Sequence, residues 1–117
     1  MKVMEQKFGA KLQAVRRSRG VSQRQLAERI GVDFSYISKV ENDRLPPPAA
    51  DTIEKICKEL GIPTDELMGL TDKLPTNLRQ LLVESRSARD FMREAQEMRL
   101  SDNEWQKLAT RLKKLRS

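Results

Sequence analysis

Residues 34–44 read F-S-Y-I-S-K-V-E-N-D-R. Ile37 and Val40 stand at i and i+3, one face of a short helix. Phe34, Ser35, Tyr36, Ser38 and Lys39 fall off that stripe. The face they form holds hydroxyls that donate or accept, an ammonium that only donates, and two aromatic rings. Such groups recognise hydrogen-bonding edges and methyl groups. They do not make a catalytic centre. The chain has no His, no Gly-rich phosphate loop, and no nucleophile set beside a base. The carboxylates of Asp65-Glu66 and of Asp102 and Glu104 fall at helix starts, where the helix dipole favours them. The expectation is that the chain is not an enzyme.

The elements around this face explain how it is held. Ser22 with Gln25 three residues later is a capping box that starts a helix. Leu26, Ala27 and Ile30 give that helix an apolar side. Gly31 stops it, because the residue after a helix usually needs positive φ. Val32 plugs the corner, and Asp33 is a good N-cap for the second helix, residues 33–42. One short helix supporting another, with polar groups facing outward, is the layout of a helix-turn-helix, whose second helix enters the DNA major groove.

The run Q-x-x-L-A-x-x-I-G-V-x-x-S-Y-I-S-x-x-E-N resembles the Xre/Cro/lambda-repressor family of helix-turn-helix regulators. The likeness continues through PPPAADTIEKICKELGIPTDELMGL and covers roughly residues 8–70. Many positions match at fixed spacing, which makes it specific. It implies an all-α fold: a five-helix lambda-repressor-like DNA-binding domain over residues 1–70, then a small helical C-terminal region, 71–117. By family position, Phe34, Ser35 and Lys39 face base edges with Tyr36 beside them. Lys39 can donate to guanine O6 or N7, and Phe34 can pack on a thymine methyl. Tyr36 can instead give its hydroxyl to a phosphate. The competing reading makes Phe34 and Tyr36 satellites of the core. Gln23 matches a family Gln that donates to a phosphate, next to the free N–H groups of the helix start. Asn42 and Arg44 match places where relatives touch the backbone; Ser22, Arg24 and Ser38 are further candidates. The resemblance also pairs Arg16 with Glu41 as a clamp between the first and third helices. These two belong to the scaffold, not the readout.

Composition sets outer limits. With 117 residues the chain is one domain, or one small domain and an appendage. One Cys without His excludes a zinc site by ligand count and an intrachain disulfide, which suits a reducing cytoplasm. No cofactor is expected. No apolar run reaches membrane-span length, and MKVMEQKFGAKL lacks the apolar core of a signal peptide. Net charge is +6. Residues 1–44 carry +5, residues 45–70 carry −3, and residues 71–117 carry +4. The excess sits on the helix-turn-helix segment and on the tail, which suits a polyanion partner.

The other helices follow from spacing. The first runs from about Val3 or Glu5 to Arg19, with Phe8, Leu12 and Val15 inward. Lys7, Lys11 and Arg19 are read as a solvated face before phosphate contacts, since cations near a helix end need no DNA. Pro46-Pro47-Pro48 is a spacer. A fourth helix, about Ala50–Leu60, points Ile53, Ile56, Cys57 and Leu60 inward, so Cys57 is a small buried hydrophobe before it is a redox sensor. Gly61 ends it, Pro63 opens a short fifth helix, and Leu67 and Met68 close the core.

In the tail, Leu74-Pro75 marks a boundary, Thr76 can cap a helix, and Ser85–Ser87 can interrupt it. Phe91, Met92, Ala95 and Met98 form one apolar stripe. Ser101 with Glu104 is a second capping box, and Trp105, Leu108, Leu112 and Leu115 then step by 3, 4, 3, a short heptad seam. The tail resembles, more loosely, the extension that follows "DELL-x-LAG-x-LP" in some Xre-family regulators. That resemblance implies a homodimer, or a protein partner such as a regulatory protease, and the apolar Phe91, Met98, Trp105, Leu108, Leu112 and Leu115 are the candidate dimer contacts; the alternative is that these helices only complete the monomer. The combined expectation is a cytoplasmic bacterial or phage regulator on double-stranded DNA, acting as a repressor on an inverted repeat. An antitoxin-like or adaptor protein is the second reading.

Overall fold

Phe8 and Leu12 are both turned inward on the first helix, and the same logic repeats along the chain. The computed structural model describes residues 7–117. Within them lie α1 (Phe8–Ser18), α2 (Gln23–Ile30), α3 (Phe34–Glu41), α4 (Ala50–Leu60), α5 (Asp65–Met68), α6 (Thr76–Glu84), α7 (Arg86–Met98) and α8 (Asp102–Lys113). No strand occurs among the described residues, so the fold is all-α as expected. A start of the first helix at Val3 or Glu5 lies outside the described residues.

The chain divides into two compact units, the first ending at Leu78 and the second running from Arg79 to Ser117. In the first, α1–α5 enclose one core, with Leu12, Leu26, Ile37, Ile53, Ile56 and Leu67 fully buried. The expected stripes of α1 and α4 face it, and Val15 and Val32 pack on its edge. The Ser22–Gln25 capping box forms in both directions, at 3.0 and 2.9 Å. Gly31 and Gly61 end α2 and α4 at φ of 76° and 68°. Asp33 behaves differently. It sits at the N-cap of α3 without a side-chain cap bond, and its carboxylate accepts instead from the Ser35 hydroxyl at 3.3 Å.

The sequence placed a boundary after residue 70, yet the first unit continues. Leu70 packs on the core, the Thr71 hydroxyl donates to the Met68 carbonyl at 2.7 Å, and the Thr76 N–H donates to Glu54 at 2.9 Å. The last bond satisfies an orphan donor of α6 with a side chain from α4. Cys57 is buried, and desolvation pushes its thiol up to about 11, so it is a neutral hydrophobe. Lys7 and Lys11 face Asp43 and Glu66 at 3.9 and 3.5 Å, in keeping with a solvated face.

The second unit is locally well made. The Ser85 hydroxyl caps α7 by accepting from the Ala88 N–H at 3.0 Å. Arg89 donates to the Leu82 and Val83 carbonyls at 2.9 and 2.6 Å, closing the end of α6. The second capping box forms on α8, at 2.9 and 3.2 Å. Hydrogen bonds from the Ser101 N–H hold the Glu104 carboxyl below its usual range. What this unit lacks is an interior. Ala95 is its one buried apolar residue, while Met98, Leu112 and Leu115 are 65%, 69% and 76% exposed. A groove of about 470 Å³ between α7 and α8 is floored by Phe91, Ala95, Met98 and Leu108. Leu115 lies past the end of α8, so the heptad seam outruns its helix.

Candidate nucleic-acid interface

The outward face of α3 stands on a buried ion pair. Arg16 on α1 donates from Nε to Glu41 Oε2 at 2.6 Å and from Nη2 to Glu41 Oε1 at 2.9 Å. Its third donor, Nη1, goes to the Val21 carbonyl at 2.9 Å. A planar guanidinium matches a carboxylate in this two-pronged way, and a lysine would not. Both residues are buried, and no buried side-chain nitrogen or oxygen among the described residues lacks a partner. Gln23 completes the network: its amide donates to Glu41 Oε1 at 2.9 Å. One carboxylate at the end of α3 thus ties down α1 and the first residue of α2.

Gly9 sets the spacing. A Cβ there would stand 2.5 Å from the Val40 carbonyl oxygen and 2.6 Å from that of Glu41. Glycine costs a helix interior about 1 kcal/mol relative to alanine. Here it lets α1 lie against the backbone of α3. The loop after α3 is also conformationally demanding. Asp43 takes φ of +59°, and the Arg44 N–H then closes on the Lys39 carbonyl at 2.8 Å.

On this frame the expected contact residues separate into four sets. Phe34, Ser35 and Lys39 are exposed on α3, with Arg44 exposed just beyond it. Tyr36 is half-buried against the core, and burial raises its phenol above the usual value of 10. The satellite-core reading therefore describes the Tyr36 ring, while its neutral hydroxyl can still donate. Ser22, Gln23, Ser38 and Asn42 form the third set, engaged within the fold. Ser22 caps α2, Gln23 holds Glu41, and the Asn42 amide donates to the Ser38 carbonyl at 2.9 Å. Arg24 is exposed, with its guanidinium carbon 4.8 Å from the centre of the Phe34 ring.

Sequence reasoning missed Gly9, the Gln23–Glu41 bond and the Arg24–Phe34 stack. For Gly9 the one available signal was a glycine inside an otherwise regular apolar pattern. No group of three or more His, Cys, Asp or Glu among the described residues is placed to hold a metal ion. No described helix is long and apolar enough to cross a membrane.

The model of the helix-turn-helix family matches residues 12–67 of the chain. Among curated relatives, the chain is similar to the uncharacterized HTH-type transcriptional regulator RghRB of Bacillus subtilis, at 34% identity over 76 residues, 62% of this chain and 55% of that protein. The immunity repressor protein of Bacillus phage phi105 is 29% identical over 91 residues, 78% of this chain and 61% of that protein. The chain thus spans 55% and 61% of the length of these two relatives. A crystal structure of the biofilm regulator SinR in complex with DNA is 30% identical, covering 52% of this chain and 97% of that one, with a TM-score of 0.49.

Proposed function

We propose that this chain is a sequence-specific, double-stranded-DNA-binding transcriptional regulator, a repressor that reads the major groove with α3. The observation that carries this reading is the division of α3 into two faces. Ile37, Val40 and Glu41 are buried and fixed, while Phe34, Ser35 and Lys39 are exposed. A rigid helix with a polar and aromatic free face can discriminate all four base pairs in the major groove. The exposed Arg44 and the N-terminus of α2 supply backbone contacts that set register. The names of the relatives, a transcriptional regulator and a phage repressor, support the same reading. Its place of action is the bacterial cytoplasm.

The chain acts as a homodimer on an inverted repeat, with the C-terminal helices as the dimer contact. One module of this size covers little DNA, and a twofold pair reads half-sites about 34 Å apart. The exposed apolar side chains Phe91, Met98, Trp105, Leu112 and Leu115 support an interface on the tail. The same observation keeps a second reading open, an adaptor whose tail takes up another protein. Removing residues 79–117 separates the two. Loss of dimers with weakened operator binding belongs to the first, and loss of a captured protein with unchanged DNA binding to the second.

The test is selection of bound sites from a randomised duplex pool by the full-length chain at two salt concentrations. The expected result is an enriched inverted repeat with separated half-sites. Salt-sensitive binding without any motif would leave only the non-specific charge term and defeat the proposal.

A further inference from the structure

Arg24 is the second residue of α2 and Phe34 the first of α3, and they meet with the guanidinium carbon 4.8 Å from the ring centre. Neither belongs to the core. Phe34 is 40% exposed and is not among the apolar residues packed against the buried cluster. An arginine lying over an aromatic face is attracted by the ring quadrupole. Stacking covers a face of the guanidinium and leaves the N–H donors around its edge available. It also orders a long side chain before any ligand arrives, which lowers the entropy lost on binding. Phe34 in turn has a side that Arg24 does not cover, an apolar surface of the kind a thymine methyl fits.

We propose that Arg24, stacked on Phe34, is a specificity-determining residue that reads a guanine next to the thymine contacted by Phe34. The reading rests on the DNA-binding function proposed above. The chemistry is direct: a planar guanidinium makes two parallel hydrogen bonds to guanine O6 and N7. The position agrees, because bases are contacted by the N-terminal part of a recognition helix, and the stack carries Arg24 from α2 to that end of α3. A phosphate contact would need the charge alone and no partner ring.

The experiment repeats site selection with the full-length wild type, Arg24→Gln and Phe34→Leu, followed by affinity measurements on the selected duplex and its single-base variants. The wild type should select guanine beside thymine in each half-site and discriminate against adenine at the guanine position by roughly tenfold to a hundredfold. Arg24→Gln should lose that guanine preference and keep the rest of the motif. Phe34→Leu should weaken the guanine preference although Arg24 is still present, and uracil in place of thymine should weaken wild-type binding by removing only the methyl. An unchanged motif in Arg24→Gln with evenly reduced affinity would reassign Arg24 to a phosphate and overturn the inference. So would a Phe34→Leu protein with full guanine preference. A wild-type pool without any motif would overturn the DNA-reading function itself, and this inference with it.

Discussion

The two units of this chain treat their apolar residues in opposite ways. In the first, the stripes of α1 to α5 converge on one core, and the ion pair they bury is fully hydrogen-bonded. In the second, α7 and α8 both carry side-chain N-caps, yet Phe91, Met98, Trp105, Leu112 and Leu115 are exposed. Caps stabilise a helix end by about 1 kcal/mol, whereas burying one large apolar side chain contributes about 1.5–3 kcal/mol. Local order in the tail is therefore complete while its main source of stability is unused. Units shorter than roughly 40 residues usually need oligomerisation, metals or disulfides. The contrast is between a first unit that packs α3 on a closed core and a tail whose apolar side chains stay exposed, which is what the proposed interface would cover.

The contrast breaks most sharply at the clamp. Glu41→Ala leaves Arg16 buried and uncompensated and should cost about 3–5 kcal/mol in denaturant unfolding. DNA binding should fall with it, because α3 loses its anchor to α1 and α2. A smaller cost, about 1–3 kcal/mol, is expected for Gly9→Ala, whose new methyl meets two backbone carbonyls that cannot swing aside. In the tail the same measurement should barely respond. Leu112→Asp is expected to change the unfolding of the first unit by less than about 0.5 kcal/mol. Sedimentation should nevertheless show dimers giving way to monomers; a destabilised first unit would erase the distinction between the two.

The smallest effect concerns acid. The Glu104 carboxyl is held below its ordinary value of 4.5 by hydrogen bonds from Ser101. A depressed carboxylate contributes stability that is complete above that ordinary value and is lost as pH falls through the folded one. Helicity of the tail, followed by circular dichroism, should decline slightly below pH 4.5. Glu104→Gln should remove that decline.

What could be read in the sequence was mostly local. Both capping boxes, the glycine stops of α2 and α4 and the inward stripes depend on residues three or four apart, so spacing alone reveals them. Ser85 as a break between α6 and α7 is legible for the same reason. The Arg16–Glu41 pair joins residues far apart in the chain and came only from family resemblance. Family position makes Gln23 a phosphate donor, while in the fold one of its amide hydrogens serves Glu41. Residue type makes Asp33 a cap, yet its carboxylate takes the Ser35 hydroxyl. Competing partners for one polar group are settled by tertiary geometry, which no periodicity encodes. The Arg24–Phe34 stack was hidden for that reason too.

We propose that the exposed face of α3 reads bases. It is tested most directly by comparing the motifs selected by the wild type and by Lys39→Ala, a substitution of an exposed residue that leaves the clamp intact. Relaxed preference at one position per half-site is expected, with a loss of about 1–3 kcal/mol for each bidentate pair removed. A Lys39→Ala protein that selects the same motif with the same affinity would contradict the assignment of α3 as the reader.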